Sequence, residues 1–205
     1  MSAVALDRPH AAEIADLLAH ESPLRTKHGG ILFYGSSSFR LWTTLGKDFP
    51  GIDIVNRAFG GSTLEQCVKE MPLLVYPLRP RVLVMYAGDN DLDEGASPEE
   101  VLASFEAFVL GVRQHLGSIP VAFLSIKPSP LRQSNLHNIR RANELIRAAA
   151  VRTGITFIDV FPLMIDEGGK PRAELFQEDT LHLNASGYAM WKTVLGEYLR
   201  AVAGQ

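Results

Sequence analysis

Five short apolar runs, each followed by a stretch of helical period, constrain this chain more than any other feature. The clearest is Arg81-Val82-Leu83-Val84-Met85-Tyr86, a continuous apolar strand of the kind buried on both faces of a parallel sheet. Gly30–Tyr34, Ile52–Val55, Pro120–Ile126 and Ile155–Val160 read as the others. Between them, helical spacing runs from about Ser37 to Leu45 and from Thr63 to Val75, where Pro72 kinks or ends the helix. Ser97-Pro98-Glu99-Glu100 opens a third helix with a capping serine, a proline at the first position and two acids in the first turn. That helix reaches about His115, another covers Asn135–Arg152 before Gly154, and the last covers Ala185–Val202. Ala87–Asp91 and Phe161–Leu183 read as loops.

Strands alternating with helices require right-handed parallel crossovers. The expected fold is one three-layer α/β/α, flavodoxin-like domain with a five-stranded parallel sheet in the order 2-1-3-4-5. It spans residues 1–205, with residues 1–29 as a helical extension packed on it; apolar positions over 10–21 give that helix. With 205 residues the chain can bury a sizeable core. A net charge of −3 and no basic run exclude a nucleic-acid partner. The apolar stretches are too short for a membrane span, and charged residues stand where a signal peptide would carry its apolar core. Cys67 is the single cysteine, so neither an internal disulfide nor a Cys-rich metal site is expected. A cytoplasmic protein without metal or cofactor is the expectation.

In such a sheet the loops after each strand meet on one edge. That edge receives Gly35–Ser38, Asn56–Thr63, Gly88–Asp91, Lys127–Asn135 and the 161–183 loop, the most Gly-, Asn- and Ser-rich stretches of the chain. A serine on the strand-to-helix turn at Gly35–Ser38 can present its hydroxyl outward while its own N–H faces a developing negative charge. The same serines can also be plain helix caps. A serine nucleophile needs a base. His10, His20, His28 and His115 lie off this edge by position in the chain, whereas His137 and His182 lie on it. His182 has a carboxylate at turn spacing, Asp179, able to reach Nδ1 and fix the tautomer.

Four blocks in order, over residues 31–190, resemble the SGNH branch of the GDSL esterase and lipase superfamily. They are Gly35-Ser36-Ser37, Asn56–Thr63, Gly88-Asp89-Asn90-Asp91 and Asp179-Thr180-Leu181-His182. The resemblance implies Ser37 as nucleophile, His182 as base and Asp179 as its orienter. It implies an oxyanion hole from Ser37, Gly61 and Asn90. Ser36 stands where the family has an acid, which leaves Ser38 as a lesser rival to Ser37. The implied activity is hydrolysis of a small-molecule carboxylic ester: a short-chain ester, acetylated sugar, lysophospholipid or thioester. The alternative is a flavodoxin-like module whose Gly35–Ser38 loop cradles a phosphate or nucleotide. Phe39, Trp42, Phe59 and Leu64 are read either as an acyl pocket or as core, and Lys127 and Arg132 either as favouring an anionic substrate or as solvated surface charge. A homo-oligomer is compatible with the sequence but not readable from it.

Overall fold

The computed structural model describes residues 10–19 and 29–203. Five parallel strands form one sheet in the order β2-β1-β3-β4-β5, as expected from the alternation. They are β1 (Ile31–Gly35), β2 (Ile54–Asn56), β3 (Val82–Tyr86), β4 (Val121–Leu124) and β5 (Thr156–Ile158). The helices are α1 (Ala11–Ala19), α2 (Ser37–Arg40), α3 (Leu45–Asp48), α4 (Leu64–Leu74), α5 (Asp89–Asp93), α6 (Pro98–Leu116), α7 (Leu136–Thr153) and α8 (Ala185–Ala203). Most of residues 1–29, including His20 and His28, lies outside the described residues. No described helix is long and apolar enough to cross a membrane.

Side chains alternate across each strand and divide the core in two. Leu32, Tyr34, Leu83, Met85 and Phe123 face one layer, with Ile14 of α1 and the apolar stripes of α4, α6 and α7. Ile31, Phe33, Val82, Val84 and Tyr86 face the other, with Phe39 of α2, Leu45 of α3 and Trp191, Leu195 and Leu199 of α8. Burial on both faces explains the unbroken apolar runs of β1 and β3. The helices start where capping chemistry allows. Thr63 with Gln66, and Ser97 with Glu100, form reciprocal capping boxes. Gly154 ends α7 in the left-handed conformation.

Two readings change. The helical stretch after β1 is two short helices, because the chain turns at Leu41–Thr44 to stack Trp42 against Tyr188 with ring centroids 5.1 Å apart. The stretch read as a loop after β3 contains α5, whose one turn brings Asp89, Asn90 and Asp93 onto the carboxyl edge of the sheet.

The turn out of β1 depends on Gly35. Its φ is +135°, and a Cβ there would lie 1.8 Å from the Tyr86 carbonyl oxygen of the neighbouring strand. Ser36 N–H then bonds that same oxygen at 2.9 Å. Gly35→Ala is therefore expected to lower stability by at least ~3 kcal/mol, combining backbone strain with a backbone clash in a packed core. Urea unfolding checks this; a midpoint near that of the parent protein would contradict it.

Candidate active site

The Gly35–Ser38 turn separates its three serines by burial. Ser36 and Ser38 are each 1% exposed, while Ser37, at the start of α2, is only half-buried. The Ser38 hydroxyl is directed inward and its carbonyl accepts from Tyr188 Oη at 3.0 Å. Of the three, Ser37 is the one whose hydroxyl meets a histidine.

That histidine is His182, on the segment leading into α8. Its Nε2 lies 3.2 Å from Ser37 Oγ, and its Nδ1 lies 2.6 Å from Asp179 Oδ2. A carboxylate can only accept, so Nδ1 carries the proton, Nε2 is the acceptor, and the Ser37 hydroxyl donates to it. Asp179 Oδ1 accepts from the backbone N–H groups of Leu181 at 3.0 Å and His182 at 2.9 Å. Thr180, at φ +57°, makes the tight turn that allows one carboxylate to hold both ring and backbone. Burial pushes the Asp179 carboxyl up, but the bonds from the His182 backbone and ring and the Leu181 N–H outweigh it and hold the pKa at about 2. His137 is exposed at the start of α7, and His115 stacks on Tyr76 at 4.2 Å. His10, at the N-terminus of α1, bonds Gln66 at 3.1 Å.

The other side of Ser37 is built from the loops after β2 and β3. Asn90 Nδ2 donates to Ser36 Oγ at 2.8 Å and to the Ser62 carbonyl at 2.9 Å. Ser36, standing where the resemblance expects an acid, thus serves as an acceptor for Asn90. Gly61 occupies a tight turn with φ +68°. Its loop is tied down from several directions. Asn56 Nδ2 reaches the Phe39 carbonyl at 2.7 Å, and the Leu64 N–H bonds the Asp91 carboxylate at 2.9 Å. Burial raises the Asp91 pKa to about 6, against the pull of that backbone bond.

Two features escaped the sequence. Lys127 and Arg132 are neither solvated nor open to an anionic substrate: they are 2% and 8% exposed. Lys127 Nζ lies 2.8 Å from Asp89 Oδ2, and Arg132 reaches Asp89 and Asp93, each at 3.1 Å. Burial pushes the Asp89 carboxyl up, but the two cations outweigh it and the net shift is downward. Two acids four residues apart on α5, facing two cations on a proline-stiffened loop, were the available signal. The second feature is not the helix α1, which was expected, but its bonds to the loops of the site. Its Glu13 pairs with Arg40 and accepts from the Gly60 N–H at 3.0 Å, and its Leu17 carbonyl accepts from Arg57 at 2.6 Å. Phe39, Trp42, Phe59 and Leu64 are at most 1% exposed and belong to the core, not to an acyl pocket.

Comparison with known proteins bears on the fold and the family. No curated protein sequence gives a significant match. Among solved structures, a provisionally assigned acylhydrolase from Bacteroides fragilis superimposes with a TM-score of 0.78 at 19% identity, over 98% of this chain and 99% of that one. A GDSL-like lipase from Bacteroides thetaiotaomicron gives 0.74 at 21% identity, over 94% and 96%. A lipase/acylhydrolase from Enterococcus faecalis gives 0.67 at 18% identity, over 84% and 96%. At these identities the likeness is one of fold. The sequence model of the GDSL-like lipase/acylhydrolase family matches residues 28–190, which takes in the Ser37 turn, α5 and the Asp179–His182 segment. The chain belongs to that family of esterase-type hydrolases.

Proposed function

We propose that the protein hydrolyses carboxylic esters of small molecules through an acyl-enzyme on Ser37. The observation that carries this reading is the relay Asp179 Oδ2, His182 Nδ1, His182 Nε2 and Ser37 Oγ, at 2.6 and 3.2 Å. Ser37 Oγ attacks the ester carbonyl carbon as its proton passes to His182 Nε2. The resulting imidazolium is stabilised by Asp179, which stays ionised because its pKa is held at about 2. The oxyanion is received by the N–H groups of Ser37 and Gly61 and by Asn90 Nδ2. His182 then protonates the leaving alcohol, the C–O bond breaks, and water, deprotonated by His182, releases the acid and restores Ser37. These steps need no metal or cofactor.

Binding of a phosphate or nucleotide by the Gly35–Ser38 loop has less support. The Ser36 N–H is already bonded to Tyr86, Ser36 and Ser38 are buried, and α2 is a single turn.

A fluorophosphonate probe is expected to label Ser37, and Ser37→Ala to abolish both labelling and turnover; a labelled peptide carrying the adduct on Ser38 would refute the assignment. Asn90→Ala should lower kcat by about 10²–10³ with KM little changed, as for loss of one oxyanion donor. An effect confined to KM would make Asn90 a substrate-binding residue instead.

The base must be neutral to accept the serine proton, so kcat/KM should fall as acid protonates His182. Asp179, held at about 2, stays ionised throughout, so the acid limb should follow a single proton. Asp179→Asn should keep the fold and reduce kcat by up to ~10⁴, whereas His137→Ala should leave activity nearly intact. A pH–rate profile of each variant decides the matter, and strong loss in the His137 variant would overturn the choice of base.

A further inference from the structure

We propose that Arg132 is a positioning residue for this reaction: it holds and polarises the Asn90 carboxamide so that Nδ2, bonded to Ser36 Oγ and the Ser62 carbonyl, and not Oδ1, lies on the side of the serine turn. The inference rests on the oxyanion role proposed for Asn90.

Arg132 Nη2 donates to Asn90 Oδ1 at 2.8 Å, and both residues are 8% exposed. A guanidinium has only donors, so the amide atom facing it must be the oxygen. On the far side of the amide, the Ser62 carbonyl can only accept, so the atom 2.9 Å from it must be the nitrogen. The carboxamide is therefore fixed from both ends, and a flip would set donor against donor and oxygen against oxygen. A fixed positive charge on the amide oxygen also draws density from the nitrogen. That makes Nδ2–H a stronger donor in a site where little solvent screens it.

The guanidinium is itself held. Asp89 Oδ2 lies 3.1 Å from Nη1 and Asp93 Oδ2 lies 3.1 Å from Nη2, so one side chain reaches three positions on the single turn of α5. Lys127 takes a share of Asp89 at 2.8 Å. Two cations thus face two carboxylates, which leaves no net charge to attract an anionic substrate. Only a planar fork can serve these partners together; a lysine at position 132 would carry the charge without the geometry. The same loop also approaches the base, because Leu131 N–H bonds the Thr180 carbonyl at 3.1 Å. A general disturbance of the loop would therefore disturb His182 as well, and the acid limb of the pH profile separates the two effects.

The test is a double-mutant cycle on hydrolysis of p-nitrophenyl acetate, with melting temperatures recorded for every variant. Arg132→Gln and Arg132→Lys should each lower kcat about 10- to 100-fold, with KM within about twofold and the acid limb unmoved. In an Asn90→Ala background the same substitutions should cost less than about twofold, because the amide they act through is gone. Should the glutamine variant fail to fold, the lysine variant, which keeps a cation opposite Asp89, carries the same cycle. Equal losses in both backgrounds would overturn the proposal, as would a raised KM with kcat retained or a shifted acid limb. If Asn90→Ala alone leaves kcat unchanged, the oxyanion reading fails and this proposal with it; a large Asn90 effect with additive Arg132 losses overturns this proposal alone.

Discussion

The close approach of β1 to β3 at Gly35 is the constraint on which the rest of the site depends. The two strands run in register to their ends, with Gly35 opposite Tyr86. A side chain at position 35 would overlap the Tyr86 carbonyl. Without one, β1 leaves the sheet abruptly and the next N–H caps the Tyr86 oxygen. That turn delivers consecutive serines in different directions. Ser36 goes inward to Asn90, Ser37 outward to His182, and Ser38 inward, its hydroxyl buried and its carbonyl bonded by Tyr188. Because the helix that follows has only four residues, the geometry of Ser37 owes more to this backbone packing than to a helix field.

The two flanks of Ser37 are built on opposite electrostatic plans. On one flank the Asp179–His182 pair stands half in solvent, its side chains 46% and 25% exposed. Hydrogen bonds from its own turn hold it, and water can reach the imidazole for the second half of the proposed cycle. On the other flank, Asp89, Asn90, Lys127 and Arg132 are all at most 8% exposed. Burying such charges is costly unless each finds a partner, and removal of one partner leaves the others uncompensated. This network is better understood as fixing geometry than as adding stability. It settles which way the Asn90 amide points, which an isolated asparagine on a loop would not.

The loops are also bound to one another. The 127–135 loop touches α5 through Arg132 and the base segment through Leu131. The loop after β2 is tied to α2 by Asn56, to α5 by Asp91 and to α1 by Glu13. The residues proposed for the reaction come from four separate connections, yet each connection is bonded to at least one other. Such cross-bracing keeps reacting groups within the small tolerance that proximity effects demand. The share taken by α1 is notable because this helix lies before the region matched by the family model, residues 28–190.

The sequence by itself determined the layer architecture and strand order. Period-2 and period-3.6 patterns in long apolar segments report burial directly, and the handedness of crossovers leaves few topologies. Its resemblance to family motifs also pointed to Ser37, Asp179, His182, Gly61 and Asn90 as candidates, with Ser38 a lesser rival to Ser37, because short motifs preserve local spacing. Tertiary structure alone decided which way side chains face. Ser36, Ser37 and Ser38 look alike in sequence and differ only in what Tyr86, Asn90 and His182 bring near them. Lys127 and Arg132 read as surface charge because their partners Asp89 and Asp93 lie some forty residues away in sequence. The aromatic residues Phe39, Trp42 and Phe59 could line a pocket or fill a core until the sheet was covered, by α8 over Phe39 and Trp42 and by the opposite layer over Phe59. Pairings across such separations leave no periodic trace in the chain. They exist only once loop closure has brought the strand ends together.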